Sequence, residues 1–161
     1  SDPVASSTII SPKQFREFAF PYLKKLISYI NSRGKSATLH ICGKTNRIWE
    51  AMAETGAACL SLDNVIDMAV AKEQVGAKIR LTGNVDPSAI MLQGSVGDVK
   101  QAVIDCVERT YDSPKGYIVA SGCSLPTEVP FENIHAMLNT VREIGFPVTK
   151  DKLDKLKRGL V

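Results

Sequence analysis

Aromatic side chains are scarce in this sequence, 6% of 161 residues with a single tryptophan, and histidine occurs only twice. A nucleic-acid groove wants a basic stripe interleaved with aromatic platforms, so no nucleic-acid partner is expected. The charge balance agrees: 20 Lys and Arg against 17 Asp and Glu leave a formal net charge of +3. Much of that excess sits between Lys150 and Arg158, which reads as the solvated face of a terminal helix. No apolar run approaches the roughly 20 residues of a membrane span. The opening Ser1-Asp2-Pro3 lacks the basic-then-apolar layout of a secretory leader. The expectation is a cytoplasmic chain with no membrane partner. Cysteine is also sparse, at positions 42, 59, 106 and 123. In a chain this large and core-rich, four cysteines do not read as a disulfide framework, and a cysteine near a histidine reads as a metal ligand. Finally, neither G-x-G-x-x-G nor G-x-x-x-x-G-K-[ST] occurs, which removes the familiar nucleotide-binding fingerprints.

What is present is an alternation of helical and strand patterns with an ordinary 44% hydrophobic content. Ser11-Pro12-Lys13-Gln14 combines a Ser cap, a first-turn proline and a residue that closes a capping box. Phe15, Phe18, Tyr22, Leu23, Leu26, Ile27 and Ile30 then recur at helical spacing until Gly34, with Pro21 set to kink or split the helix. A strand is predicted over 37–42, a helix over 45–55, a second strand over 58–62 and a helix over 67–75. A third strand follows over 78–82 and runs into Gly83-Asn84-Val85-Asp86-Pro87, where Asp86 is placed to cap a short helix begun by Pro87. Ser95 to Asp98 is a second capping box opening a long amphipathic helix. The fourth strand is predicted over 117–121, then a helix over 130–144 and a basic helix from Thr149.

Strand–helix units repeated four times imply parallel strands joined by crossovers. Without a nucleotide fingerprint, their home is a (β/α) TIM-type barrel, of which about 250 residues make a whole. Residues 1–161 are therefore expected to be one domain forming roughly half a barrel. Half a barrel leaves two sheet edges and an apolar face unpaired, so self-association, or pairing with an N-terminal half, is expected, and the isolated chain is expected to be inactive.

His40-Ile41-Cys42 falls at the end of the first strand, where residues two apart share a face. Cys123 lies just past the fourth, and parallel strands open their C-terminal ends on one rim. One imidazole and two thiolates suit Zn²⁺, and three protein ligands describe a catalytic rather than a closed structural site. The competing reading makes the cysteines small buried hydrophobes and His40 a core histidine. Cys59 and Cys106 read as core, and His135 as a surface or packing residue. Asp63, Asn84 and Asp86 follow strands two and three and would face the same rim, although Asp63 and Asp86 read equally well as helix caps. Gly43 and Gly83 allow close backbone approach, and the lead segment containing Asp2, Ser6 and Ser7 is placed to border the pocket.

Ser-Pro-x-x-Phe…Pro-Tyr-Leu, His40-Ile-Cys42-Gly43, Gly83-Asn84-Val85-Asp86-Pro87 and Gly122-Cys123-Ser-Leu-Pro126…Pro130-Phe-Glu-Asn133 together resemble the uroporphyrinogen decarboxylase superfamily, over its C-terminal half. Within it, the H-x-C…C set is similar to that of the corrinoid-dependent methyltransferases, the methylcobamide:coenzyme M branch. That resemblance implies a zinc enzyme with His40, Cys42 and Cys123 as ligands. It would pass a methyl group from a methylated corrinoid on a partner corrinoid protein to a small-molecule thiol acceptor resembling coenzyme M. By position only, Asp63 would approach the fourth coordination place or the acceptor, Asp86 would act beside it, and Asn84, Gly43 and Asp2 would line the pocket. The other readings are a metal-free tetrapyrrole decarboxylase and a non-catalytic half-barrel subunit or fragment.

Overall fold

A computed structural model describes residues 3–159; Asp2, expected to border the pocket, lies outside them. After a 3₁₀ turn, Pro3–Ala5, comes α1 (Pro12–Gln14), a π-helical turn (Phe15–Ala19) and α2 (Phe20–Ser32). The capping box at Ser11 forms as expected, Ser11 N–H donating to Gln14 Oε1 at 2.8 Å. Pro21 does split the helix. A proline has no amide proton to donate and its ring crowds the carbonyl four residues back; just before it the Phe20 N–H reaches five residues back to Phe15 O, and α2 restarts with Pro21 in its first turn.

The strand–helix units follow: β1 (Thr38–His40), α3 (Trp49–Glu54), β2 (Cys59–Ser61), α4 (Met68–Val75), β3 (Arg80–Val85), α5 (Val96–Thr110), β4 (Tyr117–Ser121), α6 (Phe131–Ile144) and α7 (Lys150–Lys157). All strands pair in parallel in the order β1-β2-β3-β4, with His40 opposite Ser61 and Ser61 opposite Thr82. Each new strand adds on the same side of the last. A doubly wound sheet would reverse direction at a switch point; this one winds one way, as a barrel wall does. Among the described residues no helix is long and apolar enough to cross a membrane.

Several boundaries differ from the sequence expectation for local reasons. β1 ends at His40, and Cys42 and Gly43 leave the ladder in a turn with Gly43 at φ 74°. α3 starts at Trp49 because Thr45 is engaged otherwise: its hydroxyl accepts the Trp49 indole N–H at 2.9 Å and its carbonyl the Ile48 N–H. β3 runs three residues further than its pattern, since Gly83, Asn84 and Val85 pair with Val119, Ala120 and Ser121. Residues 87–93 form turns and no helix, the Asp86 carboxylate accepting both Ser88 and Ala89 N–H at 2.8 Å.

The core has two parts. One packs β1, β2 and β3 against the first helices through Phe15, Ile41, Trp49, Met52, Leu60 and Leu81. The other joins α5, α6 and α7 through Val99, Val103, Ala136, Ile144 and Leu153. Cys59 and Cys106 are buried, as expected, and His135 is exposed. The basic terminal helix is docked, with Leu153 fully buried and Lys157 paired with Glu108 and Asp105 of α5.

Burial pushes the Cys59 and Cys106 thiols and the Tyr117 phenol above their ordinary values. The folded chain therefore keeps protons that the unfolded chain releases near pH ~8.5 for thiols and ~10 for tyrosine. Stability is full below those values and lost as the pH rises through the higher folded ones. Thermal melts of the metal-free chain from pH 7 to 11 should show midpoints falling from about pH 8.5 upward, less steeply for Cys106→Ala; a flat profile would refute this account.

Candidate metal centre

His40, Cys42 and Cys123 meet at the C-terminal ends of β1 and β4, their donor atoms all within 4.8 Å of one another. His40 ends β1 and Cys42 stands in the turn just beyond it, with Nε2 and Sγ 3.3 Å apart. The Cys42 and Cys123 sulfurs are 3.8 Å apart, and both thiols are free. A disulfide needs ~2.05 Å. Two Zn–S bonds of ~2.3 Å at a tetrahedral angle separate their sulfurs by about 3.8 Å. The donor set therefore fits such an ion in its chemistry, and the sulfur pair fits it in spacing.

The imidazole is held from behind by Ser61, with Nδ1 3.1 Å from both the carbonyl oxygen and the hydroxyl of that residue. A proton on Nδ1 would be donated to that carbonyl and would leave the Nε2 lone pair facing the sulfurs, the arrangement usual for metal-bound histidine. Burial first, then the adjacent Cys123 thiol and the Asp63 carboxylate, push the Cys42 thiol above its ordinary value. A bound divalent ion would reverse that push on Cys42 and release its proton.

Cys123 reaches the rim because Gly122 has no side chain. A Cβ there would lie 2.4 Å from the Asn64 backbone nitrogen, so only glycine lets the end of β4 pass this close to the loop after β2. Ser121 Oγ then donates to the Cys123 carbonyl at 2.7 Å and closes the turn.

The other sequence-predicted residues lie around the same loop. Asp63 is buried and accepts at both oxygens, from Gly43 N–H at 2.7 Å and Val65 N–H at 3.1 Å. Asn84 is buried too, its amide donating to the Asp63 and Ile66 carbonyls at 2.9 and 2.7 Å and its oxygen facing the Cys106 thiol. Asp86 caps the turn after β3 and takes the Asn64 amide at 2.8 Å. Neither Asn84 nor Asp86 joins the three-residue ligand group. At Gly43 no close approach occurs, since a side chain there would meet Ser6 and Thr8 only at 3.8–4.0 Å; its φ of 74° is what favours glycine. Sequence reasoning missed Ser61, Asn64 and Ser121. A signal existed: Ser61-x-Asp63 and Ser121-x-Cys123 repeat the two-residue spacing of His40-x-Cys42.

A one-way parallel α/β wall with soft donors gathered on its C-terminal rim defines a half-barrel of the TIM type. The chain belongs to the uroporphyrinogen decarboxylase (URO-D) family, whose pattern matches residues 1–144. A methylcobamide:CoM methyltransferase MtaA from Methanosarcina barkeri is 35% identical over 139 residues, 86% of this chain and 39% of that relative. A uroporphyrinogen decarboxylase from Psychromonas ingrahamii is 30% identical over 142 residues, 86% of this chain and 39% of that relative. Among solved structures, a methyltransferase from Methanosarcina mazei superposes with a TM-score of 0.77 at 33% identity, over 86% of this chain and 39% of that one. The chain thus spans about two fifths of the length of the relatives it matches.

The donor geometry makes a direct forecast. The purified chain should take up close to one zinc per chain, with Cys42→Ser and Cys123→Ser each lowering retention by at least tenfold. Elemental analysis after gel filtration measures it; equal retention by the serine variants would remove the centre.

Proposed function

We propose that this chain is the metal-bearing half of a zinc-dependent methyltransferase that moves a methyl group from a methylated corrinoid, carried by a partner protein, to a small thiol resembling coenzyme M. The observation that carries the proposal is the convergence of one imidazole and two thiols, with the two sulfurs 3.8 Å apart. The names of the methyltransferase relatives support it.

The chain's own residues prepare the site. His40, Cys42 and Cys123 hold the ion, and Ser61 holds the His40 ring at Nδ1. Gly43 leaves the rim open beside Cys42. Asp63 and Asn84 sit beneath that rim and Asp86 braces its far side through Asn64. Zinc would supply the positive charge that keeps an acceptor thiol ionised at neutral pH. In the transfer a C–S bond forms, the Co–C bond breaks, and its electron pair stays with cobalt. Methylcobalamin and coenzyme M are convenient stand-ins. With the remainder of the barrel supplied, zinc-loaded protein should demethylate methylcobalamin, and Cys42→Ser and Cys123→Ser should each slow this by at least a hundredfold, measured from the corrinoid spectrum. Transfer indifferent to chelation or to the serines would defeat the proposal. Metal-free loss of carboxyl groups from uroporphyrinogen would instead support the decarboxylase reading, which the Psychromonas relative favours by name.

We further propose that the missing part of the barrel, or a second copy, covers both sheet edges. Beside β4 runs an apolar groove of about 560 Å³ lined by Val107, Tyr111, Ile118, Val141 and Phe146. Between the N-terminal turn and the first helices a second groove of about 440 Å³ is lined by Val4, Ile9, Phe18, Tyr22 and Leu26. Phe146 is 94% exposed and Tyr22 72%, apolar area that water does not favour. Sedimentation at micromolar concentration should show the isolated chain self-associating and the addition of the complementary half dissolving those assemblies. A monodisperse monomer would refute this.

A further inference from the structure

The metal ligands are paired with a second set of side chains spaced as they are. The end of β1 and the residue two beyond it bring His40 and Cys42; the end of β2 and the residue two beyond it bring Ser61 and Asp63. Ser61 stands opposite His40 in the ladder and holds its Nδ1. Asp63 is one step further along, and its Oδ2 accepts the Gly43 N–H at 2.7 Å. That amide belongs to the peptide joining Gly43 to Cys42, so the bond fixes the plane from which the Cys42 side chain projects.

Asp63 is itself fixed from behind. Its Oδ1 takes the Val65 N–H, and its backbone carbonyl takes both the Ile66 N–H and the Asn84 side-chain amide. The same Asn84 amide reaches the Ile66 carbonyl at 2.7 Å. One side chain on β3 thus closes both ends of the turn that carries Asp63. With both oxygens given to backbone amides and only 8% of its surface exposed, Asp63 has no free lone-pair direction as open as those of a proton-transfer group in a cleft.

Resting on the reading of His40, Cys42 and Cys123 as a metal site, we propose that Asp63, anchored by Asn84, is a positioning residue for Cys42. It holds the Cys42–Gly43 peptide in the ligating conformation before any ion arrives. Asn84 acts through Asp63 and touches no ligand. A neighbour that orients a metal ligand in this way is commonly worth 10–100-fold in metal affinity.

The test uses Co²⁺ as a spectroscopic probe with the 161-residue chain. The parent should bind cobalt with the intense sulfur-to-metal absorption of two thiolates in a tetrahedral field. Asp63→Asn keeps one acceptor and loses the other; it should weaken cobalt binding about 10–100-fold and shift the visible bands. Asn84→Ala changes no charge, so a weakening of about tenfold with the same direction of band shift separates positioning from a loss of negative charge. Arg16→Ala, which breaks an exposed ion pair with Glu54 on the outer helices, should leave the bands unmoved. If the parent binds and folded Asp63→Asn binds equally tightly with an identical spectrum, the positioning role is overturned. A parent that takes up no cobalt overturns the metal reading, and the positioning role with it. Should Asp63→Asn not fold, the unsubstituted metal-free chain still decides: the Gly43 amide should exchange slowly with solvent, and exchange at the rate of a free loop amide overturns the proposal.

Discussion

The rim of this protein depends on one short loop, 62–66, wedged among the ends of three other strands. Its Asp63 side chain holds the turn after β1, its Asp63 and Ile66 carbonyls are held by Asn84 of β3, and Asn64 bonds the Asp86 side chain beyond β3. Two glycines make the fit possible. A Cβ at Gly83, where φ is 131°, would lie 2.6 Å from the Leu62 carbonyl oxygen, and one at Gly122 would strike the Asn64 backbone. Such close backbone approaches leave no freedom to adjust, which is why side chains from distant parts of the sequence arrive in register.

That rigidity has an electrostatic purpose. Burial, the adjacent Cys123 thiol and the Asp63 carboxylate together push the Cys42 thiol above its ordinary value. A rigid pocket of this kind is unfavourable for a second negative charge and favourable for a small soft cation that cancels it. The neutral imidazole, its Nδ1 held by Ser61, adds a donor without adding charge. Chemistry and placement thus agree with membership of the URO-D family and with the likeness to a methyltransferase structure.

The same winding that gathers the ligands leaves the sheet open. Four strands added in one direction curve without closing, so among the described residues β1 and β4 are the edge strands, and an apolar groove runs beside β4. The helices on the outer side are well packed, with Trp49, Met52, Leu60 and Leu81 buried on one part and Val99, Val103 and Leu153 on the other. Core burial therefore sustains the layer of helices, while completion of the barrel concerns the edges.

Local chemistry was readable directly. The capping boxes at Ser11 and Ser95, the break at Pro21, the alternation of four strand–helix units and the pairing of His40 with Cys42 all follow from interactions within a few residues. The convergence of Cys123 was also within reach, because parallel strands share one rim. The extent of β3 was not legible, since Gly83-Asn84-Val85 reads as a turn until β4 lies beside it. Nor was the use of Asp63: a carboxylate after a strand looks the same whether it caps a helix, faces a substrate or grips a neighbouring turn. Spacing along a chain sets which side chains share a face, because backbone geometry is local. Which partner each buried polar group finds depends on segments twenty or more residues away, and only their packing supplies it.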